Sequence, residues 1–265
     1  MQIDIKNPSS PGAHFSDNTN SVLLKIHAWI EGHKGLQISF REFRTRLEND
    51  MNVNDNNNRN IFPLLRNGGL VQYEKGGDIL VDNFYTNTGL AYVKTLELLN
   101  LIKQDTKYSR DQIIASENKF NEILQEIIYG ALLKIVNTSE LNYVEPFQDM
   151  IYFLLKFEKI NKEEYAYLLF ERQQSDIQTS LGIITDNIFK YRAGDIKIET
   201  SVTVRNDIDI QQKTNATHRQ EGLGCLTSYT YFVGLLNQAG LIVKDGQYYI
   251  TKNNKIDLLK KLVGE

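Results

Sequence analysis

The chain has 265 residues, 41% of them hydrophobic and 24% charged, with a formal net charge of −3. These proportions exclude wholesale disorder, and the length allows one large domain or two to three small ones. A single cysteine, Cys225, excludes an internal disulfide framework and a cysteine-rich zinc cluster. It sits among apolar residues and reads as a buried thiol. No apolar run reaches membrane-spanning length and no apolar signal region opens the chain, so no membrane association and a cytoplasmic location are expected.

In chain order, residues 1–19 are polar, with two prolines and a glycine, and read as an irregular arm. Val22, Leu23, Ile26 and Ile30 then fall at helical spacing, and Gly32 and Gly35 end that helix. Residues 36–38 are a short strand candidate. Ser39 with Glu42 three residues on reads as a capping box for a helix carrying Phe40, Phe43 and Leu47. The asparagine-rich run 52–60 reads as a loop feeding a third helix, residues 59–67. Pro63 suits a first helical turn, so a later start is also open. Residues 70–73 and 79–84 read as the two strands of a wing.

Residues 90–101, 109–136, 146–157, 162–170 and 175–191 read as helices, and the stripe Phe120, Ile123, Leu124, Ile127, Ile128, Leu132 as core. Residues 195–200 are a candidate extended segment. A helix over 226–238 follows, then a hairpin ending in Tyr248 and Tyr249, then an amphipathic helix over 256–263.

One local pattern occurs twice, 171 residues apart: Leu64-Leu65-Arg66-Asn67-Gly68-Gly69-Leu70-Val71 and Leu235-Leu236-Asn237-Gln238-Ala239-Gly240-Leu241-Ile242. Each copy runs from a helix end through glycine into a strand and then a tight turn, Lys75-Gly76-Gly77-Asp78 or Asp245-Gly246. Helix, glycine stop, strand, hairpin and strand form the back half of a winged helix. The expected fold class is therefore mainly α with small β wings: an arm (1–19), a winged-helix subdomain (20–95), a helical linker (96–190) and a second winged-helix subdomain (191–265).

Charge is uneven despite the acidic balance. Of ten arginines, Arg41, Arg44, Arg46, Arg59 and Arg66 fall between residues 41 and 66, and Arg192, Arg205 and Arg219 fall in the stretch leading into the second copy of the pattern. Arginine forms bidentate contacts to phosphate and guanine edges, and asparagine pairs with adenine. In a helix-turn-helix unit the start of the third helix enters the major groove. That reasoning singles out Arg41, Arg44, Asn57, Asn58, Arg59, Asn60 and Arg66 in the first half. In the polar stretch before the second copy, Arg205, Asn206, Thr217 and Arg219 are candidates of the same kind.

Catalytic signals are weak. Asp195-Ile196-Lys197 matches the acidic-x-Lys triplet of Mg²⁺-dependent PD-(D/E)XK nucleases. It lies in a charged context with no buried strand and no preceding Pro-Asp pair, and it is read as non-catalytic. His14, His27, His33 and His218 show no metal-ligand spacing, and no phosphate-cradling glycine loop is present.

Several segments resemble a known family: Lys197-Ile198-Glu199-Thr200, Arg205-Asn206-Asp207, Gly240-Leu241-Ile242-Val243 and Gln247-Tyr248-Tyr249-Ile250. They look like the second recognition subdomain of AlwI- and FokI-like type IIS restriction and nicking endonucleases. Residues 146–192, ending in Phe189-Lys190-Tyr191-Arg192, are similar to the linker before it, and residues 20–95 match only as a winged helix. In that family the N-terminal half reads a short asymmetric DNA site and a separate PD-(D/E)XK domain cuts at a distance.

The resemblance implies a double-stranded DNA recognition module that works with an attached or partner nuclease domain, and Mg²⁺ is expected only for that nuclease. It places contacts near Arg59, Arg66, Lys197, Arg205, Asn206, Lys213 and Arg219. Two other readings stay open: a tandem winged-helix transcription or replication regulator, and a winged-helix protein-interaction scaffold.

Overall fold

The computed structural model describes residues 1–53, 55–104, 107–138, 140–203 and 220–265, without the side chains of 55–58, 220 and 221. The chain is mainly α with small β elements. It divides into two compact units: Pro11–Ser139 with Gly234–Gly240, and Met1–Ser10 with Glu140–Val233 and Leu241–Glu265. They are called here the N-terminal and C-terminal units.

In the N-terminal unit the order is α1 (Asp17–Gly32), β2 (Gln37–Ser39), α2 (Phe40–Met51), α3 (Asp55–Asn67), β3 (Asp78–Leu80), α4 (Asn87–Gln104) and α5 (Arg110–Val136). Local chemistry sets most helix starts. Ser16 accepts a hydrogen bond from Thr19 N–H, Ser39 from Glu42 N–H and Ser109 from Gln112 N–H, each satisfying a donor the first turn leaves open. Of these three starts, only that of Ser109 and Gln112 completes a capping box. The expected Ser39–Glu42 box is half made, because the Glu42 carboxylate accepts from Arg46 instead, at 2.6 and 3.0 Å.

Asp55–Asn67 is one helix with Pro63 inside it, so α3 starts before the proline rather than at it. The expected wing also differs. β3 pairs antiparallel with β2, Ile38 opposite Ile79, while residues 70–73 meet the returning chain through a single bridge, Val71 to Tyr85. A 3₁₀ turn over Val81–Asn83 interrupts the second strand that the sequence suggested. Trp29, Phe40, Phe43, Phe62 and Phe84 form the buried aromatic core, with Phe43 at 5.0 Å from Phe84 and 5.5 Å from Trp29 between ring centroids.

The C-terminal unit contains β1 (Gln2–Lys6), α6 (Val144–Phe157), β4 (Lys159–Ile160), α7 (Lys162–Arg172), α8 (Ile177–Ala193), β5 (Glu199–Thr203) and β6 (Gln220–Glu221). They are followed by α9 (Thr227–Gln238, its last turns counted with the other unit), β7 (Ile242–Asp245), β8 (Tyr248–Thr251) and α10 (Ile256–Leu262). Residues 2–6 are thus a strand and not an irregular arm. Alternation decides it: Ile3 and Ile5 are buried while Gln2, Asp4 and Lys6 are exposed, and β1 runs parallel to β5. The Asn7 amide donates to the Cys225 carbonyl at 3.1 Å and the Thr227 hydroxyl at 3.0 Å, and its oxygen accepts from the Ser228 hydroxyl at 3.0 Å. A second sheet has the order β4-β8-β7.

The helices α6 and α7, read from the sequence as part of a linker, belong to the same unit as the C-terminal hairpin. Buried ionic groups hold them. Arg192 donates to Glu164 at 2.6 Å and to the carbonyls of Phe157 and Lys159 at 3.1 and 2.7 Å, and Glu164 is fully buried. Cys225 is half-buried rather than buried, on a 3₁₀ turn before α9.

Candidate nucleic-acid interface

The main concavity of the N-terminal unit is built by three elements. Helix α2 supplies Phe40, Arg41, Arg44, Thr45 and Glu48, and α3 supplies Arg59, Phe62 and Pro63. The turn after residue 72 supplies Tyr73, Lys75 and Gly76, around a volume of about 650 Å³. The 3.6-residue period puts Arg41, Arg44 and Thr45 on one side of α2 while Phe43 and Leu47 point into the core. Four cationic side chains therefore face one carboxylate, Glu48. Arg41 and Arg59 are exposed and Arg44 is half-buried.

Tyr73 forms the rear wall. Its ring stacks on Phe40 at 4.0 Å between centroids, and the Arg66 guanidinium lies 5.2 Å from the ring centre. Burial raises the Tyr73 hydroxyl above the usual phenol range, opposed by the Arg66 and Arg44 charges, so it remains a neutral donor. Arg66 opens onto a neighbouring concavity of about 490 Å³ lined by Gln72, Tyr73, Glu74 and Asp78. The structure thus joins Arg41, Arg44 and Arg59 and places Arg66 beside a more acidic surface.

Of the other expected contacts, Asn60 is exposed on α3 but does not line either concavity; Arg46, a member of the arginine cluster but not one of those contacts, is committed to Glu42. The side chains of Asn57 and Asn58 are not among those described, and Arg205, Asn206, Lys213, Thr217 and Arg219 lie outside the described residues. Lys197 is on the segment entering β5, two residues after the exposed Asp195. Arg192 holds a structural ion pair instead of a surface position. Sequence reasoning does not find Lys75 and Tyr73. Both lie beside the Gly-Gly pair, whose only local signal is a tight turn.

The C-terminal unit has a smaller concavity, about 330 Å³, between the start of α7 (Lys162, Glu163), α9 (Tyr229, Thr230, Val233) and the β7–β8 turn (Lys244, Gly246, Gln247, Tyr249). Lys162 is half-buried, and desolvation lowers its ammonium below the usual lysine range, opposed by Cys225 and Glu163. Among the described residues, no three His, Cys, Asp or Glu side chains come together as a metal-ligand group. No protein-family model, curated protein or solved structure matches the chain.

Proposed function

We propose that the chain recognises double-stranded DNA, with the groove of Arg41, Arg44, Arg59 and Lys75 as its principal contact face. The observation that carries this reading is the convergence of four cations from α2, α3 and the following turn on one concave surface of a protein whose net charge is −3. Position matters more than total charge for a polyanion. The order α1-β2-α2-α3-strand-turn-β3 also suits a winged helix, in which the third helix meets the major groove and the wing lies beside it. On this reading the arginines and Lys75 hold phosphates and set register, and Arg59, near the start of α3, reads base edges. The family resemblance adds a role as the recognition half of a type IIS-like nuclease whose cutting domain is joined or supplied by a partner.

Fluorescence anisotropy with a labelled duplex over a salt series tests it. The expected log–log slope is several units negative, roughly −0.9 per phosphate neutralised. The double substitution Arg41→Glu, Arg59→Glu, both at exposed positions, is expected to weaken binding more than tenfold with melting temperature unchanged. Undiminished binding by that variant would remove the groove from the interface.

A further inference from the structure

Part of the lining of the C-terminal concavity corresponds in position to the arginine groove, while Arg44, Thr45, Glu48 and Pro63 have no counterpart in it. Arg59 and Phe62 on α3 correspond to Thr230 and Val233 on α9, and Tyr73 and Lys75 to Lys244 and Gly246. Every pair is separated by 171 residues, the spacing of the sequence repeat. Phe40 and Arg41 at the start of α2 correspond to Lys162 and Glu163 at the start of α7, with a common separation of 122. The difference between the two offsets falls in the segment from α8 to β6, which lies in sequence between α7 and α9 and has no counterpart between α2 and α3.

The sheets agree as well. β2 pairs with β3 and β4 with β8, each strand after a first helix joining the strand after a turn. Gly69 and Gly240, again 171 apart, both sit at the helix-to-strand step with left-handed φ of 69° and 71°. The aligned lining residues themselves are nowhere identical.

We infer that the groove of Lys162, Thr230, Lys244 and Gln247 is a second phosphate-contacting face for duplex DNA. The inference rests on the DNA-recognition reading of the N-terminal unit. Its chemistry is of another kind. Where the first groove offers guanidinium groups, the second offers two ammonium groups, two tyrosines and one carboxylate, Glu163. Lysine contributes a point charge without the planar fork that reads guanine. The second face therefore anchors the backbone more than it selects sequence.

The test uses the full chain and three variants on one duplex: Lys162→Gln with Lys244→Gln, Glu163→Gln, and Arg41→Gln with Arg59→Gln. The lysine pair is expected to weaken binding about three- to tenfold at low salt and to reduce the salt slope by about two, one for each phosphate that is no longer neutralised. The weakening is expected to be the same on specific and random sequences. Glu163→Gln, which removes the opposing charge, is expected to tighten binding about twofold. If the arginine pair loses affinity while the lysine pair keeps both affinity and slope, the second face is refuted and the first stands. If the unmodified protein binds no duplex at low salt, both fall together.

Discussion

Whether an arginine here is a tool or a strut depends on its immediate neighbours. Arg192 meets a fully buried Glu164 and two backbone carbonyls, so its charge is spent on the interior, whereas Arg41 is on the exposed side of α2. Both look alike in a composition count. Gly89 is decided by its neighbours in the same way. A Cβ there would stand 1.7 Å from the Leu70 carbonyl oxygen, a backbone atom that cannot swing aside as a side chain could. Gly89→Ala is expected to cost at least about 2 kcal/mol, at the upper end of overpacking penalties. Chemical denaturation would show it as a lower midpoint with the slope retained. A change under about 0.5 kcal/mol would mean that α4 can move off residue 70 freely.

At the scale of elements, helices were legible because their signals are local. The apolar stripe from Phe120 to Leu132 marks α5, whose expected start at 109 is one residue from its observed start at Arg110. Strands were less legible because their partners are distant. β4 is only two residues long and owes its existence to β8, about ninety positions further on, so nothing near Lys159 announces it. The same distance hid the membership of α6 and α7 in the C-terminal unit. The arginine groove was half legible: clustering in sequence brought out Arg41, Arg44 and Arg59, but Lys75 joins them only through the fold.

The α7 start shows how much one cap can hold. Asn161 accepts from Glu164 N–H at 2.8 Å, its own N–H donates back to the Glu164 carboxylate at 3.1 Å, and its amide donates to the Tyr191 hydroxyl at 3.0 Å. Asn161→Ala is expected to lower stability by about 1–2 kcal/mol, the range for an N-cap loss. Asn161→Asp should recover the cap and not the bond in which Asn161 donates to Tyr191. Equal stability of the alanine and native proteins in urea titration would show that the cap is dispensable.

For the whole molecule, pH should act on the two units in opposite directions. In the N-terminal unit His27 is 1% exposed, and neither ring nitrogen has a hydrogen-bond partner among the described residues. Burial lowers its imidazole below the ordinary value of 6.5, opposed chiefly by Glu97 at 3.6 Å. A lowered histidine binds fewer protons folded than unfolded, so its contribution is present above pH 6.5 and is lost as pH falls below it.

In the C-terminal unit burial raises Asp149 to about 6, opposed by its bond from Arg172 at 2.8 Å. There the folded state binds more protons. Stability is greatest below the ordinary aspartate value of 3.8 and declines as pH rises toward about 6. Calorimetry between about pH 4 and 7 should find His27→Gln flattening the acid loss and Asp149→Asn removing the opposing trend. Identical pH profiles for native protein and both variants would contradict these assignments.

The pairing of β1 with β5 joins Ile3 to Thr200 and Ile5 to Val202. During synthesis the first strand leaves the ribosome long before its partner exists. At roughly 5–20 residues per second the interval is about ten to forty seconds. Throughout it the apolar edge of Ile3 and Ile5 has no place in a sheet, and before it ends residues 11–139 have emerged and can begin to fold. The chain therefore completes its two units in the reverse of the order in which it begins them, and the exposed strand is the point at which a chaperone would have the longest time to act.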